Sequence, residues 1–139
     1  LPKIEKVTLE EALSSAVDRH ARISSTEVRT GFRNIDWSAP AALKTVAYRV
    51  VQEALSNALR HAGGSGQTVL AVRTATRLRI IVSDSGPGFP DSAVAEKDFG
   101  LGLTGMLQRV LAADGDLRIR SVKGKWTCVK VTLPLDLPT

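Results

Sequence analysis

Tyr48-Arg49-Val50-Val51-Gln52-Glu53-Ala54-Leu55-Ser56-Asn57-Ala58-Leu59-Arg60-His61-Ala62 is the run around which the rest of this chain organises. Val51, Leu55, Ala58 and Ala62 recur at three- and four-residue steps, so they line one side of a helix that can lie on a sheet. Glu53 and Asn57 stand one turn apart on another side, and Arg60 and His61 follow seven and eight residues after Glu53, which makes a polar stripe. Ser38-Ala39-Pro40 supplies the start signal, with Ser38 a candidate cap and Pro40 tolerated in the first turn, and Gly63-Gly64 supplies the stop. A polar stripe is ordinarily the solvated side of a helix. Any further meaning for this one has to come from the flanking segments.

Downstream, 67–73 and 78–84 are β-rich and joined by Thr74-Ala75-Thr76-Arg77, which predicts a hairpin. The segment 85–101, rich in Gly, Pro and charge, predicts a mobile loop. A third helix is predicted over 103–113, ended by Asp114-Gly115-Asp116, and strands over 117–121 and 126–133. Upstream, Leu9, Ala12, Leu13, Ala16, Val17 and Ile23 keep helical spacing, with Glu10 and Glu11 in the first turn where the dipole favours them. Residues 27–35 read as a short edge strand with a turn near Gly31. This order predicts an α+β fold, a two-layer sandwich whose mixed, largely antiparallel sheet is covered on one face by three helices.

The 139 residues suit one domain, taken as 1–139. At 43% hydrophobic and 24% charged the composition is that of a globular protein, and no apolar run approaches the roughly 20 residues that span a bilayer. A chain that opens Leu1-Pro2-Lys3 is expected to be a fragment of a longer one. Cys128 stands alone, so no intrachain disulfide or cysteine metal site forms, and a reducing, cytoplasmic setting is expected. The net charge of +5 raises nucleic acid as a partner. Its sources, from Arg19 and Arg22 through Arg73, Arg79 and Arg120 to Lys130, are dispersed in sequence and lack an aromatic ladder. They read instead as a solvated basic surface, and no nucleic acid is expected.

Several positions could carry chemistry. The amide oxygen of Asn57 is a hard ligand of the kind Mg²⁺ accepts while bridging to phosphates. Glu53 could orient or deprotonate an attacking group beside it. Arg60 and His61 could offset phosphate charge, or be a surface Arg and a helix-end residue. Leu78, Ile80, Val82 and Asp84 share strand parity, so Asp84 faces the helices. As an acceptor-only group it would suit the exocyclic amine of adenine, or it could cap the turn into Ser85-Gly86. Gly86 and Gly88 flank Pro87 in a turn that can approach a planar base, and Gly100, Gly102 and Gly105 open the third helix, where free N–H groups suit phosphates. The dinucleotide fingerprint fails because no strand precedes Gly100, and the P-loop fails for want of Gly-Lys-Ser/Thr.

Taken in order, the run 48–62, then Asp84-Ser85-Gly86-Pro87-Gly88-Phe89, then Gly100-Leu101-Gly102-Leu103-Thr104-Gly105-Met106 resemble the N box and two glycine boxes of the ATP-binding domain of sensor histidine kinases. The likeness is to the nitrate-sensor-like branch and extends over about 8–134. It implies a Bergerat-type sandwich in which Asn57 is the Mg²⁺ ligand, Glu53 the catalytic carboxylate, Arg60 and His61 phosphate neighbours and Asp84 the adenine reader. Gly86 and Gly88 would shape the base pocket. The stretch Gly100, Leu101, Gly102, Leu103 and Gly105 would form the lid hinge and phosphate contact, with Thr127 beside Asp84 near the adenine. The sequence departs from the family by placing Trp126 where a Gly usually precedes that Thr, so the ring either reshapes the pocket floor or covers the sheet edge.

The resemblance further implies a domain that binds Mg·ATP and passes the γ-phosphate to a histidine on a separate dimerisation domain of the same kinase, with a response regulator downstream. The dimerisation helices are not in this stretch, so a monomer is expected. His20, followed by Ala21-Arg22, lacks the acidic neighbour of the branch's acceptor and reads as a packing residue. Whether the parent is anchored in a membrane stays open. The rivals are a related ATPase or anti-sigma-factor serine kinase of the same fold, and a nucleotide-sensing module without catalysis.

Overall fold

The computed structural model describes residues 4–62, 66–85, 101–122 and 126–137, and for 61, 62 and 101–103 the backbone alone. After a 3₁₀ turn at Ile4–Lys6 come α1 (Leu9–Ser24), β1 (Val28–Arg33), α2 (Ala41–Ala62), β2 (Gln67–Arg73), β3 (Arg77–Asp84), α3 (Leu101–Ala112), β4 (Asp116–Val122) and β5 (Trp126–Pro134). The strands form one sheet in the order β1-β2-β3-β5-β4. Among the described residues only β1 and β2 pair in parallel, across α2, while the other three pairings are antiparallel. The three helices pack on one face, α2 between α1 and α3 and over β3 and β5. This is the α+β sandwich expected.

Local sequence explains the helix ends. Thr8 closes a capping box on α1: its hydroxyl accepts from Glu11 N at 3.1 Å, and Glu11 Oε1 accepts from Thr8 N at 3.0 Å. The helix buries Leu9, Ala12, Leu13, Ala16 and Val17, but Ile23, of the same spacing, is 72% exposed in the last turn. For α2 the cap is not Ser38. The Pro40 carbonyl takes the first helical bond, from Lys44 N at 3.1 Å, and Pro40 itself has no N–H that needs a partner there. The expected turn at Gly31 is also absent. Gly31 lies within a regular strand, and its reason is close approach, since a Cβ there would fall 2.7 Å from Leu70 Cδ2.

The core between helices and sheet is aliphatic, with Leu13, Leu43, Val51, Leu55, Ile80 and Val131 closed to solvent within about 0–5%. One cation is buried in it without a carboxylate, and a second is held at its edge. Lys44, 2% exposed, donates from Nζ to the Val7 carbonyl at 2.8 Å. Arg73 lays its guanidinium 4.2 Å from the centre of the Trp37 ring and donates through Nε to the Asn34 carbonyl at 2.8 Å.

At the start of β2 a polar knot joins three elements of the fold, α1, α2 and β2. Gln67, 1% exposed, donates through Nε2 to the Leu55 carbonyl of α2 at 3.3 Å. Its Oε1 accepts from Thr26 Oγ1 at 3.1 Å and from His20 Nε2 at 3.2 Å. Because an amide oxygen only accepts, His20 must carry its proton on Nε2. Burial lowers the His20 pKa, and the bond to Gln67 opposes that only in part. The unfolded chain therefore binds the extra proton first, and folding stability is lost as pH falls through the unfolded value of about 6.5. The thermal midpoint of the chain should drop on acidification across that range, and His20→Gln should flatten this part of the profile; an equal slope in both proteins would remove His20 as its source.

Candidate functional site

The Gln67 bond decides which part of α2 lies over which end of the sheet. It holds Leu55 above the first residue of β2, and the next residue, Thr68, pairs with Ser83 near the end of β3. Asp84, the last residue of β3, therefore lies at the same margin as the second half of α2. Across the ladder Asp84 faces Thr127 of β5. Asn57, Asp84 and Thr127 are 6%, 6% and 8% exposed in a layer made mostly of aliphatic side chains. Polar groups so placed are costly unless bonded, which marks this margin as a site where polar partners are provided.

The alternation read from sequence thus holds for Asp84 and Thr127, both of which face the helices. Thr127 Oγ1 lies 3.2 Å from Ser121 Oγ, and Ser121 in turn donates to the Trp126 carbonyl at 3.3 Å. Trp126 has the opposite parity and is 37% exposed on the outer side of the sheet, so its ring covers the sheet edge and not the floor beside Thr127.

On α2 the stripe is not a solvated face. Asn57 is buried, and its Oδ1 accepts from Arg60 Nη2 at 3.3 Å, with Arg60 itself exposed. Glu53 makes an ion pair through Oε1 with Arg109 Nη1 of α3, tying the two helices together. Its other oxygen, Oε2, is buried with no hydrogen-bond partner among the described residues. Sequence reading missed Arg109. Its place in the last turn of α3 suggests only a dipole contact, and no spacing links it to a residue 56 positions earlier.

The glycine stretches are only partly in view. Gly86, Gly88 and Gly100 lie outside the described residues, as does the His61 side chain. Leu101, Gly102 and Leu103 are seen as the backbone of the first turn of α3, and a Cβ at Gly105 would meet nothing within 4 Å, so packing does not require a glycine there. Among the described residues no three His, Cys, Asp or Glu side chains gather to hold a metal by themselves. The Asn57 amide oxygen nevertheless suits Mg²⁺, which takes one or two protein oxygens and completes its shell with phosphates and water.

A mixed sheet backed by three helices, with the long helix crossing its centre, is the architecture of histidine-kinase ATPase domains. The histidine kinase domain of the blue-light activated kinase EL346 from Erythrobacter litoralis superposes with a TM-score of 0.74 at 22% identity, over 94% of this chain and 63% of that one. Residues 43–137 match the model of the histidine kinase-, DNA gyrase B- and HSP90-like ATPases, and the chain belongs to that family. Sensor histidine kinases are among the proteins it is similar to. It is 31% identical over 137 residues to the signal transduction histidine-protein kinase/phosphatase UhpB of Salmonella typhimurium, covering 95% of this chain and 26% of that protein. It is 30% identical over 132 residues to the sensor histidine kinase LiaS of Bacillus subtilis, covering 95% of this chain and 36% of LiaS. The chain thus spans about a quarter to a third of the length of these relatives.

The Glu53–Arg109 pair can be weighed by a double-mutant cycle of Glu53→Gln and Arg109→Met in urea unfolding. A charge-assisted bond in this half-buried setting should couple the two sites by roughly 1–2 kcal/mol. Additive losses would mean that packing alone holds α3 to α2.

Proposed function

We propose that the chain binds Mg·ATP at the margin formed by α2, the end of β3 and the start of β5, and that in its parent protein it presents the γ-phosphate to a histidine on a separate dimerisation domain. The observation that carries this is the buried polar set of Asn57 on the helix and the Asp84–Thr127 cross-strand pair on the sheet beneath it. Nothing in the aliphatic packing calls for these three residue types together. A nucleotide does, because its base offers donors and its phosphates bring metal.

In this reading the Asp84 carboxylate accepts from the exocyclic amine of adenine, and Thr127 lies beside it against the base. Asn57 Oδ1 would hold Mg²⁺, and Glu53 Oε2, unpartnered among the described residues, is kept for the proton of the attacking group. When bound, the ion neutralises charge on the phosphates being separated. Arg60 exchanges its bond to Asn57 for a phosphate oxygen, and the first turn of α3 offers N–H groups to the same chain of phosphates. Glu53, kept in place by Arg109, orients the attacking imidazole and takes up the proton it gives off. Most of the work is positioning and charge balance, as phosphoryl transfer requires. His61, Gly86, Gly88 and Gly100 keep the phosphate and base-pocket roles their family motif implies. The names of UhpB and LiaS as histidine kinases support the transfer step, and the acceptor histidine and response regulator would come from other domains and chains.

Calorimetric titration of ATP, with Mg²⁺ and with EDTA, tests the assignments separately. Asp84→Asn should weaken ATP binding roughly 10- to 100-fold, the worth of a charged hydrogen bond to the base. Asn57→Ala should keep metal-free nucleotide binding and lose the Mg²⁺-dependent increment together with transfer to an acceptor domain supplied in trans. Unchanged ATP affinity in Asp84→Asn would sink the adenine assignment.

A further inference from the structure

The side of the sheet turned away from the helices carries a second organised surface. Paired register builds rows across it, the central one running Gly31, Leu70, Ile81, Lys130, Arg118 from β1 to β4. Arg29 and Arg33 of β1 form one flank, and Lys130 of β5 with Arg118 and Arg120 of β4 form the other. Between them Leu70, Val72 and Ile81 make an apolar band, and Leu70 is 39% exposed. Among the described residues the five strands put seven basic side chains on this face, Arg77 and Arg79 of β3 included, against one carboxylate, Asp116. Asp116 is already engaged by Arg118 Nε at 2.9 Å. This surplus of six is larger than the net charge of the whole chain, +5.

Such an arrangement costs folding stability, since like charges directly opposite across a ladder, as Lys130 and Arg118 are, repel one another. It makes sense where an anionic partner relieves the repulsion. Three strand spacings separate β1 from β5, about 14 Å, and an α-helix with its side chains is about 10–12 Å across. A helix lying on the β2–β3 band would therefore have its two edges over the two basic flanks. On the second flank Arg79, Arg118, Arg120 and Lys130 surround an open depression of about 450 Å³ floored by Cys128 and Thr132, and the one carboxylate at its rim, Asp116, is paired with Arg118, so four basic groups face one acid there. Gly31, where any Cβ would collide with Leu70, keeps the band unobstructed on the other side.

The geometry points to this face as the docking surface for an acidic amphipathic helix of a partner protein, its apolar stripe on Leu70, Val72 and Ile81 and its Glu and Asp side chains on the flanking Arg and Lys. Nucleic acid fits less well, because the centre is apolar and the aromatic at the face, Trp126, sits at its corner and offers no ladder for bases. A lipid surface fits less well too. Val72 and Ile81 are only half-exposed among longer Arg side chains, so a ridge of side chains can reach them but they cannot insert into a bilayer.

The test is an NMR titration of the 139-residue chain with a designed helix of about 18 residues, Leu on one stripe and Glu on both flanks. A scrambled peptide of the same composition, duplex DNA and phosphatidylserine-containing vesicles serve as comparators. Saturable binding that shifts outward-facing residues of β1 to β5, weakens with salt, and falls at least about tenfold in Arg33→Gln/Lys130→Gln while ATP affinity stays the same would support the proposal. Leu70→Ser should weaken it independently of charge. Equal binding of the scrambled peptide, tighter capture of DNA or vesicles, or no saturable binding would overturn it.

Discussion

One carboxamide sets the frame on which everything else hangs. Gln67 is sealed from solvent at the first residue of β2, and from there it bonds the middle of α2 on one side and α1 with the approach to β1 on the other. Aliphatic packing between a helix and a sheet is permissive about sliding, because one Leu or Val contact replaces another at small cost. A buried amide is not, since shifting it strands donors and acceptors in an apolar layer. Gln67 therefore converts a greasy interface into an indexed one. A slip of α2 by one turn, about 5.4 Å, would carry Asn57 away from the end of the sheet where Asp84 and Thr127 lie.

Strand alternation then divides the chemistry of the molecule between two sides. Along β5, Thr127 turns inward beside Asp84 while Cys128, the next residue, turns outward between Arg120 and Ser83. Burial pushes the Cys128 thiol up in pKa, against the pull of Lys130 and Arg120. The inner margin is polar by insertion into an aliphatic layer, and the outer face is charged by excess over it. The sheet thus presents two surfaces of different chemistry, one on each side.

How much of this the sequence discloses follows from the range of each signal. Helix and strand periods are local, so the three helices, the strands and the inward aim of Asp84 and Thr127 are all legible from spacing. Gly31 misleads because a glycine that permits close approach looks, in one dimension, like a glycine that makes a turn. Ser38 misleads because a good capping side chain two residues early is indistinguishable from the real start at Pro40. Gln67, Lys44 and Arg109 are invisible for a different reason: each is defined by a partner 12, 37 or 56 residues away. The basic face is an intermediate case. Its members look dispersed along the chain, and only the pairing of non-consecutive strands gathers them.

The parallel pairing of β1 with β2 has a consequence for how such a molecule comes together. β2 with β3 and β4 with β5 close through short connections, whereas Val28 meets Gln67 only after the whole of α2 has been laid down between them. Loop-closure entropy places this pairing behind the two hairpins, together with that of β3 and β5, whose partners Asp84 and Thr127 are also far apart in the chain. The knot of His20, Thr26 and Gln67 sits at the β1–β2 seam. The two hairpins can therefore form before β3 meets β5, and because that later pairing is what brings Thr127 beside Asp84, the sheet and its polar margin are completed in the same late event.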